Sequence, residues 1–432
     1  MKLKAFLAHS YKVTDMASVN ALGRREELTF KGNANHTRYG WLRLTPAYSV
    51  LLVEQLLDAH CQPDDVVLDP FCGTGTTALV CAERGLTCET TDINPFLIWL
   101  AAVKTRSYES AWIAQFRKAS SRIAECIRIS TESAWEPPIH QIEKWWSAAN
   151  LKALGRAMVA IRDRSEDLPG PTIDLLKIVF CRVMIGSANV SFGHQSMSFA
   201  KQTDSARQGL LFSSSEEEEL ASRWEAATSV IADSANSPMV GTARVILCDA
   251  RDLTAELKVD HYGCVVTSPP YPNRMSYIRE LRPYMYWLGF LEDGRMAGEL
   301  DWKAIGGTWG CATSNVAKWE PSPGVEIPHP EFAGILHRIS QQSPVLAKYV
   351  HKYFYDMVGH VRGLLAVVRP GGSIHYIVGN SKFYDVLLPV ESLFAVLFEA
   401  AGFERIAVRT IRKRTSKKEL YEFVVSAHKP RK

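Results

Sequence analysis

The chain has 432 residues, 47% hydrophobic and 22% charged, with a formal net charge of +4. Such a composition belongs to a folded globular protein and excludes a disordered or fibrous chain; the small positive charge permits a nucleic-acid partner without requiring one. Nine cysteines occur without a C-x-x-C pair, so neither a zinc cage nor a disulfide framework is expected, and no metal site is read. The opening MKLKAFLAHS has no apolar core for a signal peptide, and no run approaches a membrane span, so a cytoplasmic protein with reduced thiols is expected. No internal repeat is visible, and the length allows one large domain with insertions or two domains.

Residues 1–40 are polar and irregular and read as an N-terminal arm. Its cations Arg24, Arg25, Lys31, His36 and Arg38 suit either solvent or a phosphate backbone. Pro46 to Leu57 has the spacing of an amphipathic helix, with Thr45 as the N-cap. Asp65 to Asp69 is a short buried strand. The loop Asp69-Pro70-Phe71-Cys72-Gly73-Thr74-Gly75-Thr76-Thr77 follows and opens a helix that ends at Gly85. Strand, glycine turn and helix N-terminus make the nucleotide-type site of a doubly wound sheet. The absence of G-K-[ST] excludes an ATP phosphate loop, and a full G-x-G-x-x-G is missing. Asp69 puts a carboxylate in the turn, suited to an ammonium rather than a phosphate.

The next strand, Thr87 to Thr91, ends at Asp92, before Asn94-Pro95 and an apolar helix. An acid at the end of the second strand is where a ribose diol is held; capping of the following helix is the competing role. Residues 106–240 interrupt the alternation with helices over 111–130, 142–162 and 173–184, and read as a helical insert. Trp145-Trp146 reads as core, and His194 as structural. Ser213 to Glu219 (SSSEEEE) reads as an exposed linker.

Alternation resumes with the strand 243–248 ending at Asp249, with Asp252 in the same loop. The apolar run Cys264-Val265-Val266 then stops at Thr267-Ser268-Pro269-Pro270-Tyr271. Two prolines cannot continue strand or helix, so the chain leaves a rigid notch with an aromatic wall at the sheet edge. The segment 277–290 reads as an aromatic-rich helix, and 291–349 as a loop insert. A helix over 353–368, a fifth strand over 373–378 and a helix over 390–401 follow. The chain closes with strands over 404–410 and 421–427, joined by a turn carrying Arg412, Lys413, Arg414, Lys417 and Lys418, which is solvated or contacts phosphates.

The glycine loop and Thr-Ser-Pro-Pro-Tyr together resemble the S-adenosylmethionine-dependent amino-methyltransferases of DNA. The matched core covers 41–105, 243–290 and 350–428. The resemblance implies an α/β, doubly wound, Rossmann-like class I methyltransferase sheet, mostly parallel with a C-terminal antiparallel hairpin. The domains expected are the arm 1–40, the first core segment 41–105, the helical insert 106–240, and the core remainder 241–432 with its loop insert 291–349. It also implies a cofactor set of Asp69, Phe71, Gly73, Gly75, Thr76, Asp92, Asn94 and Asp249, the last accepting from the adenine amino group. Ser268, Pro269, Pro270 and Tyr271 form the catalytic set. The exocyclic amine would donate to the Ser268 hydroxyl and the Pro269 carbonyl, and a flipped base would stack on Tyr271.

Ser268 makes the chain more similar to the cytosine-N4 enzymes, because adenine-N6 enzymes more often carry Asp there. Cytosine carbon-5 chemistry needs a nucleophilic cysteine, typically after a proline, and no Pro-Cys dipeptide occurs. An adenine-N6 enzyme, an RNA amino-methyltransferase, a protein glutamine methyltransferase (which prefers Asn at position 268) and a non-catalytic nucleic-acid-binding methyltransferase fold are the alternatives. DNA is the expected partner, and a restriction endonuclease would accompany such an enzyme in a restriction-modification system.

Overall fold

The computed structural model describes residues 12–13, 26–29, 32–35, 38–42, 44, 47–129, 135–191, 198–199, 215–273, 276–308, 310–414 and 419–431. Its centre is an eight-stranded sheet of β1 (Lys12–Val13), β2 (Val66–Asp69), β3 (Thr87–Asp92), β4 (Thr242–Leu247), β5 (Tyr262–Thr267), β6 (Val368–Gly379), β7 (Glu404–Lys413) and β8 (Tyr421–His428). In space the order is β1-β7-β8-β6-β5-β2-β3-β4. Strands β4, β3, β2, β5 and β6 are mutually parallel. Strand β8 runs antiparallel to both β6 and β7. This is the doubly wound α/β sheet with a closing hairpin that the strand pattern predicts.

Alternation along the central strands divides the core. Leu68 and Val265 face one layer with α12 (Pro344–Val367) and α13 (Val390–Ala401). Val67, Cys264 and Val266 face the other with α1 (Val50–His60) and α2 (Thr76–Glu83). Every residue of β5 is buried, and a strand covered on both faces carries an unbroken apolar run.

The stretch after β3 forms α3 (Pro95–Thr105), α4 (Ser110–Arg128), α5 (Ala148–Asp163), α6 (Gly170–Gly186) and α7 (Glu216–Ala235). Their shared core includes α8 (Tyr277–Leu288), which follows the Ser-Pro-Pro-Tyr turn. Trp287 of α8 meets Trp146 edge-on at 5.8 Å and Phe180 at 5.2 Å, so the aromatic segment fastens the insert to the sheet. Trp145 and Trp146 are both buried.

Several expectations are corrected. Arg38 is neither solvated nor free for phosphate. It is fully buried, and its guanidinium donates to the carbonyls of Lys104 (2.9 Å), Arg106 (2.6 Å), Ala235 (2.8 Å) and Ser237 (2.7 Å). Helix ends leave such carbonyls unsatisfied, and one cation here joins the C-termini of α3 and α7. Arg24, Arg25, Lys31 and His36 lie outside the described residues, as do Thr45, Pro46 and His194. Helix α1 begins at Val50, capped by the Ser49 side chain on Leu52 N–H, so the helix starts later than its sequence spacing predicts.

The acidic run is no linker either. Ser215 caps α7, and Glu216 to Glu219 fill its first turn, where the helix dipole favours negative charge. Ser213 and Ser214 lie outside the described residues. The segment 291–349 contains α9 (Gly294–Lys303), α10 (Cys311–Lys318) and α11 (Phe332–Ser340) instead of being one long loop. Its buried Ala297, Val316 and Ile335 supply a core that the glycines and prolines around them mask in the sequence.

Gly75 opens α2 with φ +76°, and a Cβ there would sit 2.9 Å from the Ala101 Cβ of α3. Gly75→Ala should therefore destabilise the fold by about 1–2 kcal/mol from the left-handed backbone alone. Urea unfolding checks this, and an unchanged midpoint would contradict the packing described.

Candidate active site

Strands β3 and β4 lie on one side of β2, whereas β5 and β6 lie on the other. At such a reversal the loops leaving the carboxyl ends diverge and open a crevice. A cavity of about 330 Å³ occupies it. Phe71 and Gly73 after β2, Asp92 and Asn94 after β3, Asp249 after β4 and Ser268 to Tyr271 after β5 all line it.

Asp92 organises one end. Its Oδ2 accepts from Gly73 N–H at 3.0 Å and its Oδ1 from Asn94 N–H at 2.9 Å. Burial pushes its pKa up to about 6, although these backbone donors pull the other way. Asn94 caps α3 through Oδ1 on Phe96 N–H at 3.0 Å. Its Nδ2 is buried on the cavity wall with no partner. A buried N–H donor costs free energy until something accepts from it, so the wall is built for a ligand acceptor.

Asp249 also lines the cavity. Burial alone would raise its pKa, but Arg251 outweighs that and holds it below the ordinary carboxylate value. Arg251 donates to it from Nη2 at 2.6 Å, Nε at 3.0 Å and the backbone N–H at 3.0 Å. The same guanidinium reaches the Lys303 carbonyl at 2.8 Å, next to Ala304 and Ile305 on the cavity wall. Asp252, the competing acid, is not on that wall; it precedes a short 3-10 turn, Leu253–Ala255.

Three expected cofactor residues stand behind the wall instead of on it. Asp69 is fully buried. It accepts from the Thr267 hydroxyl at 2.6 Å, the Tyr48 hydroxyl at 2.9 Å and Phe71 N–H at 3.1 Å. These bonds turn its carboxylate into the β2–β5 junction, where burial pushes its pKa up to about 6. Gly75 packs on α3, and the buried Thr76 hydroxyl meets that of Thr74 at 3.2 Å.

At the other end the Ser268 hydroxyl donates to the Ile377 carbonyl of β6 at 3.1 Å. That bond fixes its proton and leaves its lone pairs to accept. The Tyr353 hydroxyl donates to the Pro270 carbonyl at 2.7 Å and holds the rigid turn. The Tyr271 hydroxyl donates to Glu422 Oε1 at 3.0 Å, and Arg412 Nε reaches Glu422 Oε2 at 2.7 Å. The Arg414 guanidinium lies 5.1 Å from the Tyr271 ring centroid, over one face, and donates to the Asn380 carbonyl at 2.9 Å.

The basic turn is thus read differently in three dimensions. Arg412 and Arg414 line the cavity, and Lys413 lies 5.9 Å from the Tyr421 ring centroid; Lys417 and Lys418 lie outside the described residues. Sequence reasoning missed Tyr48, Glu422, Tyr353 and Ile377. Tyr48 carried a weak signal, since it precedes the helix just upstream of the glycine loop. The others come from remote strands and helices and carried none.

The family described as DNA methylase, N6_N4_Mtase, matches residues 30–102, the stretch holding Tyr48, the glycine loop and Asp92. The Type II methyltransferase M.AvaI of Nostoc sp. is 20% identical over 436 residues, covering 92% of this chain and 86% of that protein. M.MjaII of Methanocaldococcus jannaschii, also a Type II methyltransferase, is 41% identical over 58 residues, 13% of this chain and 11% of its own. Over residues 30–102 the chain is similar to the N6/N4 DNA methylase family. Among solved structures, TrmN from Thermus thermophilus aligns with a TM-score of 0.32 at 12% identity, over 93% of this chain and 53% of that one.

The motifs' resemblance to the DNA amino-methyltransferases implies S-adenosylmethionine as the cofactor. The residues present fit it: an unpartnered amide N–H at Asn94, carboxylates at Asp92 and Asp249, and apolar walls from Phe71, Ile93 and Ile305. Among the described residues no cluster of three or more His, Cys, Asp or Glu gathers to hold a metal ion, and no helix is long and apolar enough to cross a membrane.

Proposed function

We propose that the protein methylates the exocyclic N4 amine of cytosine in duplex DNA. The observation that carries this reading is the Ser268 hydroxyl, neutral, on the cavity wall and already donating to Ile377. An exocyclic amine is a poor nucleophile because its lone pair is conjugated into the ring. Ser268 accepts one amine N–H, and the Pro269 carbonyl accepts the other. Both bonds draw the nitrogen toward tetrahedral geometry and free its lone pair. Bound S-adenosylmethionine supplies an activated methyl group on a sulfonium. Positioning and electrostatics then govern the displacement, and no covalent enzyme intermediate is called for.

Asp92 and Asn94 hold the ribose side of the cofactor, and Asp249 takes the adenine amino group. Tyr271, anchored by Glu422, is the wall on which the extruded base stacks. Base–aromatic stacking is worth about 1–3 kcal/mol. The Type II methyltransferase relatives favour a setting beside a restriction endonuclease in the cytoplasm.

Nucleoside mass spectrometry on DNA from cells expressing the wild type, against Ser268→Ala, tests the proposal. N4-methylcytosine in the wild type alone is expected. N6-methyladenine would overturn the reading of Ser268 while keeping the site; neither base in DNA would redirect the search to RNA.

A further inference from the structure

A second cleft, of about 580 Å³, lies at the opposite ends of the same strands. Gly263 is the second residue of β5, Ser373 lies in β6, Glu404 and Arg405 open β7, and His428, Lys429 and Arg431 end and follow β8. The catalytic cavity uses Ser268, Ile377, Arg412 and Glu422 of those strands or their ends. Four residue steps along β6 separate Ile377 on the catalytic cavity from Ser373 on this cleft, about 13 Å of strand. The two sites are therefore separate.

The chemistry of this cleft is cationic. Arg369, Arg405, Lys429 and Arg431 line it, against the acids Asp65 and Glu404. Asp65 is taken by Arg369 at 2.6 Å, and Lys429 pairs with Asp260 at 2.5 Å. Glu404 stands 3.8 Å from Arg405, a long and exposed contact. No carboxylate pairs with Arg431 among the described residues; its stem lies against Gly371, 3.2 Å from where a Cβ would stand.

Two histidines complete the wall. His60 stacks on the buried His375 at 4.0 Å. His428 has a buried Nδ1 with no partner. Burial and the neighbouring Arg405 hold His428 below the ordinary histidine value, so it is neutral near pH 7 and its ring N–H donates without adding charge. The Arg431 guanidinium, without a carboxylate partner among the described residues, and Arg405, with only a long exposed contact to Glu404, stand on the same cleft as the orphaned imidazole and suit an anion, because guanidinium forks match phosphate oxygens.

We propose that this cleft binds a phosphate-class anion, free phosphate or the phosphate of a small phosphomonoester, through Arg405, Arg431 and His428. The cleft is concave and faces away from the catalytic cavity, which favours a small ligand over the duplex being methylated. The inference does not depend on which amine is methylated.

Calorimetric titration of the full chain tests it, with inorganic phosphate, glycerol 3-phosphate and, as an ionic-strength control, chloride. Saturable phosphate binding is expected, weakened at least about ten-fold in Arg431→Ala and in His428→Gln. Thermal unfolding without ligand identifies any variant that has lost its fold, and Arg405→Gln then serves in its place. Tighter binding of glycerol 3-phosphate would identify the ester as the ligand type, and equal or weaker binding would identify free phosphate. No saturable binding to the wild type, binding matched by chloride, or unchanged affinity in all three folded variants would overturn the proposal.

Discussion

Ser268→Ala should lower kcat about 100-fold to 1000-fold, the size seen when one preorganised hydrogen-bonding group is removed from a reacting centre. Affinity for S-adenosylmethionine should stay within about two-fold, because in the proposed mechanism the Ser268 contact is made to the substrate amine. The serine hydroxyl donates to the Ile377 carbonyl, so its acceptor lone pairs are aimed before the base arrives. Alanine removes that acceptor, while the two prolines and the Tyr353 bond keep the turn in place. The measurement is single-turnover methyl transfer to DNA beside equilibrium cofactor binding. A loss confined to cofactor affinity would refute the assignment. Tyr271→Ala should behave similarly, with a smaller loss set by stacking.

Asp92→Ala should do the reverse and weaken cofactor binding about 100-fold, with a lesser effect on the rate at saturation. The carboxylate orders Gly73 and Asn94 through their backbone N–H groups, so its loss removes a ligand acceptor and loosens the loop. Hydrogen bonds to a charged group contribute about 1.5–3 kcal/mol each, and 1.4 kcal/mol is ten-fold in affinity.

A pH dependence follows. With its pKa pushed up to about 6, Asp92 becomes protonated, and loses acceptor strength, as pH falls below that value. Cofactor affinity should therefore be level above pH 6 and decline below it. Asp92→Asn should flatten the profile. Asp69 titrates in the same range but stands behind the wall, and any slope left in Asp92→Asn is assigned to it. The sign for stability is opposite. Both acids keep their proton in the fold up to about 6, whereas the unfolded chain releases it near 3.8. Their contribution to stability thus falls as pH rises through that window and is level above it.

Much of this was legible in the sequence because it is local. A glycine loop between a strand and a helix, and two prolines ending an apolar strand, constrain the backbone wherever they occur. Those motifs pointed to a doubly wound sheet, and their resemblance to the amino-methyltransferases implied the closing hairpin and grouped Phe71, Gly73, Asp92, Asn94, Asp249 and Ser268 to Tyr271, which line one crevice in the structure. The direction of a side chain was not legible. Asp69 and Phe71 are two residues apart, yet one faces the β2–β5 junction and the other the cavity, because Thr267 and Tyr48 from distant segments capture the carboxylate. Charge was equally ambiguous. The cations of the final turn could have met solvent or phosphate, and only the pairing of β7 with β8 set Arg412 against Glu422 beside Tyr271. The same pairing gathered Arg405, Arg431 and His428 into a cleft at the far end of the sheet. Burial, ion pairing and the joining of an arm to two helix ends through Arg38 depend on residues far apart in the chain. Only the folded sheet brings them into contact.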